Sequence, residues 1–165
     1  WSFDAGVTPG LGFHFLGVTV FTLMFGWALA VVGTGLATLG LALNGSGGLE
    51  AISLNALVLG VVPVSVSQLI YHFVSGRLPH HVFIYIFLNG FLGGIIAAAV
   101  TVLTLVLVLV WSGTYPLARI SQEYLPFLPL YLFPEGLLNG MLVTVMVGAK
   151  PQWLKTFDDQ SYLNR

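Results

Sequence analysis

The sequence predicts an all-α integral membrane protein, a bundle of about five transmembrane helices, and three observations carry that prediction. Charged residues make up 7% of the 165 residues while 57% are apolar, a balance that a water-soluble domain cannot carry on its surface. The mean hydropathy is +0.95, so the surrounding solvent is lipid. The apolar residues also run continuously instead of alternating. Continuous runs select helices over a closed barrel, the only other structure that satisfies its backbone inside a bilayer.

From Leu11 to Leu43 the chain is apolar almost throughout, roughly 33 residues where one span needs about 20. Gly26-Trp27 is the natural break. It gives a short helix over 11–25, below full spanning length, and a second over 27–44. Asn44-Gly-Ser-Gly-Gly48 reads as a loop. The third helix is expected over 51–75, closed by Gly76-Arg77-Leu78-Pro79, with Pro79 suited to the first turn of the next. A fourth over 80–111 is long enough to tilt strongly or to project from the bilayer. Gly90, Gly93 and Gly94 mark where a neighbour can approach it closely. Ser112 to Gln122, with Gly113 and Pro116, is a loop; the fifth helix covers 124–147, and 150–165 is a polar tail. No repeat or low-complexity segment divides the chain, so 1–165 reads as a single polytopic domain. It begins at Trp1 without a signal-peptide pattern, and one more helix is expected upstream.

Charge sets orientation and removes one class of partner. Five Lys and Arg residues and a net charge of -1 cannot neutralise a phosphate backbone, so nucleic acid is excluded. Without cysteine there is no disulfide framework and no thiolate chemistry. Arg77, Lys150, Lys155 and Arg165 fall on one side of the five-helix arrangement and Arg119 on the other. The positive-inside rule then puts the C-terminal tail in the cytoplasm. Phe83, Tyr85 and Phe87 read as lipid-facing or interfacial aromatics, and Trp111, Tyr124, Tyr131 and Trp153 suit the headgroup belts.

Glu135, in Leu132-Phe-Pro-Glu-Gly-Leu-Leu-Asn139, is the one charged residue well inside an expected span. An intramembrane carboxylate is costly, which makes it a functional candidate. The alternative is a hydrogen-bonded carboxylate tying two helices together. Pro134 and Gly136 beside it could open the helix locally and free backbone carbonyls. His14, in Gly12-Phe-His-Phe-Leu-Gly17, is a candidate metal ligand at the outer end of the first helix. His72, His80 and His81 lie towards the other side; adjacent His80 and His81 diverge on a helix and suit the headgroup region better than a shared metal. Asn55, Gln68, Asn89 and Asn139 are uncharged polar residues in apolar surroundings. Such residues ordinarily hydrogen-bond between helices, at about 1 kcal/mol or less each. No Ser-His-Asp order, P-loop or His-x-x-x-His is present, so the chain does not read as an enzyme.

The order of these motifs is distinctive: a Gly-rich entry to His14-Phe-Leu-Gly17, a short apolar helix, Gly26-Trp27, Gly47-Gly-Leu49, Leu54-Asn55 and a late Glu135-Gly-Leu137. Together they resemble the CbiM-like membrane subunits, the substrate-binding components of cobalt and nickel uptake transporters of the energy-coupling-factor type. The resemblance runs from about Gly10 to Val147 and rests on shared order and spacing. It implies that His14 is a ligand of a divalent transition metal, cobalt or nickel, that Asn55 supports the site, and that Glu135 matches a carboxylate of the last helix. It also implies partners: a coupling transmembrane protein and ATPases, beside the lipid bilayer.

Two departures mark this chain as divergent. Family members with metal sites begin Met-His-Ile-Pro and complete the coordination with that amine and histidine, whereas this chain starts at Trp1. The family's Asn-x-Phe-Asn-Met-Gly is here Asn55-Ala-Leu-Val-Leu-Gly60. One imidazole does not hold a transition metal tightly alone, so either an upstream segment supplies the other ligands or the site has been lost. The first expectation is therefore a substrate-binding, permease-like subunit in a bacterial inner membrane. The alternative is a non-catalytic structural or assembly subunit of a larger membrane complex.

Overall fold

In a computed structural model, residues 4–8, 11–14, 17–44 and 52–162 are described, with the backbone alone at 4–8, 11–14 and 159–160. The chain opens with an antiparallel hairpin of β1 (Asp4–Thr8) and β2 (Leu11–His14), in which Asp4 pairs with His14. This corrects the expected helix over 11–25: only α1 (Val18–Phe25) is helical. Gly17 stops it, at φ +57, a conformation that glycine adopts freely and that cannot continue a right-handed helix. A second glycine, Gly26 at φ +77, breaks the chain again before α2 (Trp27–Leu43).

Three spans follow that are long and apolar enough to cross a membrane. The first is α3 (Ile52–Arg77), wide-wound in the π form over Ala56–Val61. The second is α4 (Val82–Trp111), with a π stretch over Tyr85–Leu92. The third, Leu117–Ala149, is built from α5 (Leu117–Glu123), a 3-10 turn at Leu125–Phe127 and α6 (Leu128–Ala149). It begins earlier than the expected 124–147, because α5 is helical although only Ile120 on it is buried. Pro134 does not open α6, which runs through it.

The short helix α1 lies at the centre. Val18 packs with Ala30 of α2 and Val64 of α3, while Val20 and Leu23 pack with Tyr85 of α4 and with Val143 and Val147 of α6. A separate cluster joins Ala98, Val102 and Val106 of α4 to Ile120, Tyr124 and Tyr131. On the outside, Leu36, Leu69, Phe73, Leu107, Leu130 and Val145 are exposed apolar side chains. Such a surface is stable only against hydrocarbon, and the all-α membrane fold follows.

Three aromatic expectations are overturned. Phe83, Phe87, Trp111 and Trp153 are exposed, but Tyr85, Tyr124 and Tyr131 are buried. Each of these tyrosines fills space between helices; aromatic type alone does not tell a belt residue from a core one.

The segment after Lys150 is also more than a polar tail. A 3-10 turn (Pro151–Trp153) and α7 (Asp159–Tyr162) fold back on the bundle. Leu154, Phe157 and Tyr162 complete the cluster around Tyr85. Burial, with Tyr71 and Asp158 close by, pushes the Tyr162 phenol up to about 12, so it stays neutral.

Candidate functional site

A helix of eight residues is about 12 Å long, less than half the hydrocarbon thickness of about 30 Å. One end of α1 must therefore finish inside the bundle. It is the N-terminal end, which meets Glu135, about 20 Å along α6 from Ala149 at 1.5 Å per residue. Helix N-termini present unpaired N–H groups, and in lipid no water is there to take them. The local sequence provides no capping side chain at Gly17.

The cap comes from far away in sequence. Gly17 N donates to Glu135 Oε1 at 2.8 Å, and Val20 N donates to Asn139 Oδ1 at 2.9 Å. Asn139 Nδ2 in turn donates to the backbone carbonyl of Glu135 at 2.8 Å and to its Oε1 at 3.0 Å. Glu135 is 3% exposed and Asn139 is fully buried. An acidic group suits this position, since the helix dipole places partial positive charge there. One turn of α6 thus takes two of the amides at the buried end of α1.

Glycines bring the helices close enough for this. A methyl placed at Gly94 would lie 3.1 Å from the Asn139 amide, and one at Gly90 would lie 3.3 Å from Gly140 Cα. Gly136 packs against Ile95 and the Phe91 carbonyl so closely that no side chain fits. Gly93 faces Thr19 of α1 instead. The three glycines read from the sequence therefore line the seam where α4 meets α6 and α1.

The opposite end of α1 is held by the C-terminal segment. Lys155 N donates to the Met24 carbonyl at 3.2 Å and Thr156 N to the Leu23 carbonyl at 3.3 Å. The Thr156 hydroxyl donates to the Leu23 carbonyl at 2.9 Å and pairs with the Tyr85 hydroxyl at 2.7 Å. With the threonine proton committed, Tyr85 is the donor of that pair. The Lys155 side chain lies beside Gly26, where a cation complements the negative end of the dipole. Nothing in composition or spacing revealed this contact.

The other sequence candidates fall in different places. His14 ends β2, three residues before Gly17; its side chain lies outside the described residues. Asn55 is half-buried in the first turns of α3, outside the Glu135 network. Gln68 bonds within its own helix, to His72 at 2.9 Å, instead of across helices. His81 Nδ1 accepts from Phe83 N at 3.2 Å and caps α4, while His80 meets the edge of Tyr162. Asn89 is buried with no partner for either side-chain polar atom. Among the described residues no three His, Asp or Glu side chains gather in a way that could hold a metal ion.

Comparison with known proteins gives one finding. The family described as the cobalt uptake substrate-specific transmembrane region matches residues 1–153. Neither the curated proteins nor the solved structures contain a match.

Proposed function

The chain belongs to the CbiM family of cobalt uptake transmembrane regions, and from that premise we propose that it is the substrate-binding subunit of a cobalt or nickel transporter. The substrate is a divalent ion held at the entry to α1, with His14 as a ligand and Asn55 as polar support. One observation carries the reading: α1 ends inside the bundle, and β2 with His14 leads directly into that end. Three residues of chain reach at most about 10 Å, so the His14 backbone lies close to the Glu135 cap. A bare helix N-terminus would repel a cation, and the carboxylate of Glu135 offsets that field. The subunit moves substrate without hydrolysing anything, so a coupling membrane protein and ATPases are its partners. Arg77, Lys150 and Lys155 lie at the end of the bundle that holds the C-terminal segment. We place that end in the cytoplasm of a bacterial cell, following the positive-inside rule.

The test is metal content and affinity for cobalt, nickel, copper and zinc on purified full-length protein, beside His14→Ala. Stoichiometric cobalt or nickel, with affinity at least about tenfold weaker in the variant, is the expected result. No metal in either protein would reject the reading and favour a structural subunit of a larger membrane assembly.

A further inference from the structure

Among the described residues two side chains hold buried polar atoms without a partner: Gln68, whose amide nitrogen is bonded so that only Oε1 is left over, and Asn89, where both atoms are. Asn89 is 2% exposed, and neither Oδ1 nor Nδ2 has a partner. Such a group in a membrane interior is costly unless something bonds to it. It stands in the π stretch Tyr85–Leu92, a form frequent at functional positions. The wide turn, which bonds i to i+5, stacks Asn89 beneath Gly93 and Gly94. A methyl at Gly93 would lie 3.6 Å from the Thr19 methyl and 3.9 Å from Ile70, and one at Gly94 would meet Asn139. Asn89 therefore faces the junction of α1, α3, α4 and α6.

The polar groups at that junction differ in spare capacity. Asn139 is committed to Val20 and Glu135, and the Thr22 hydroxyl to the Val18 carbonyl. Thr19 and Ser67, both buried, share one hydrogen bond of 2.8 Å. Two hydroxyls joined by one bond keep one proton and several lone pairs unused. An amide needs both a donor and an acceptor opposite it. A cation would serve only its oxygen, and an anion only its nitrogen.

We infer that Asn89 and the Thr19–Ser67 pair form an internal hydration site, binding water that bridges α4 to α1 and α3. Water both donates and accepts and is small enough for a closed interior, and bridges of this kind ordinarily hold buried polar groups. The site lies between the Glu135–Asn139 cap at one end of α1 and the Thr156–Tyr85 contact at the other. One flank of α1 is thus hydrogen-bonded along its length, and its middle contact is exchangeable. The inference stands whether or not a metal binds at His14.

Radiolytic hydroxyl labelling of the full chain in lipid nanodiscs tests it directly. Tyr85, one turn from Asn89 and fully buried, is labelled in the wild type if water is bound nearby, and stays unlabelled if the site is dry. Denaturant unfolding of Asn89→Leu, Ser67→Ala and the double variant gives the second readout. Loss of the bridge lowers the folding constant of Asn89→Leu by about tenfold, and the two substitutions are non-additive. An unlabelled Tyr85, additive effects, or a more stable Asn89→Leu each overturn the inference. Labelling of Tyr85 that responds to sodium or lithium also overturns it, in favour of a cation site.

Discussion

Glu135 shows what one carboxylate does in lipid. Its side chain is the acceptor for the buried Gly17 amide and anchors Asn139, which takes a second amide of the same helix end. Truncation removes the acceptor and leaves the donors desolvated, at about 1–3 kcal/mol for each unsatisfied group. Glu135→Ala should therefore lower stability in detergent or nanodiscs by about 3 kcal/mol. Glu135→Gln keeps an acceptor oxygen at the same reach and should cost about 1 kcal/mol, mainly the lost charge at the helix N-terminus. Thermal unfolding of the two variants side by side decides the point. Equal losses would mean that charge, and not hydrogen bonding, makes the contribution.

At the scale of elements, α1 behaves as an inserted peg gripped at both ends. Its hydrophobic sides contact two different clusters, so its position is set by α2 and α3 on one flank and by α4 and α6 on the other. Packing locates it, but the hydrogen bonds accepted by Glu135 and Asn139 and donated by Thr156 fix its register along the bundle. Thr156→Val keeps the shape and deletes the hydroxyl shared between Leu23 and Tyr85. The expected cost is about 1–2 kcal/mol, concentrated in the C-terminal segment. Tryptic cleavage after the exposed Lys155 reports it: faster cleavage in the variant is expected, with metal affinity as a parallel readout. An unchanged cleavage rate would show that the apolar contacts of Leu154, Phe157 and Tyr162 hold the segment without the threonine.

For the whole molecule, the charge distribution and the fold make one statement about sidedness. The loop holding Thr114 joins α4 to α5 at one end of the bundle, and Gln152 follows α6 at the other. Because these 165 residues contain no cysteine, Thr114→Cys and Gln152→Cys can be labelled individually without background from them. A membrane-impermeant maleimide should reach position 114 from outside intact cells and position 152 only after permeabilisation. The reverse pattern would invert the orientation drawn from the positive-inside rule. Labelling of both from the same side would reject the topology itself.

Composition and continuous apolar runs by themselves determined that the chain is helical and lipid-embedded, because backbone satisfaction in hydrocarbon admits few structures. The break at Gly26 and the end of α2 at Asn44 were legible too, and so was the unusual cost of Glu135; the loop expected after Asn44 lies outside the described residues. Only the tertiary structure decided what that carboxylate does. Its partner amide, on Gly17, is 118 positions away, and the Val20 amide is 119 from the Asn139 that accepts from it; no spacing rule within one helix reports such pairings. The hairpin before α1 was hidden because Leu11 to His14 is apolar enough to extend a helix on hydropathy, while Gly17, at φ +57, stops the helix short of it. The C-terminal segment was misread because its three buried side chains are dispersed among polar residues. Their common surface exists only once α1, α4 and α6 have come together.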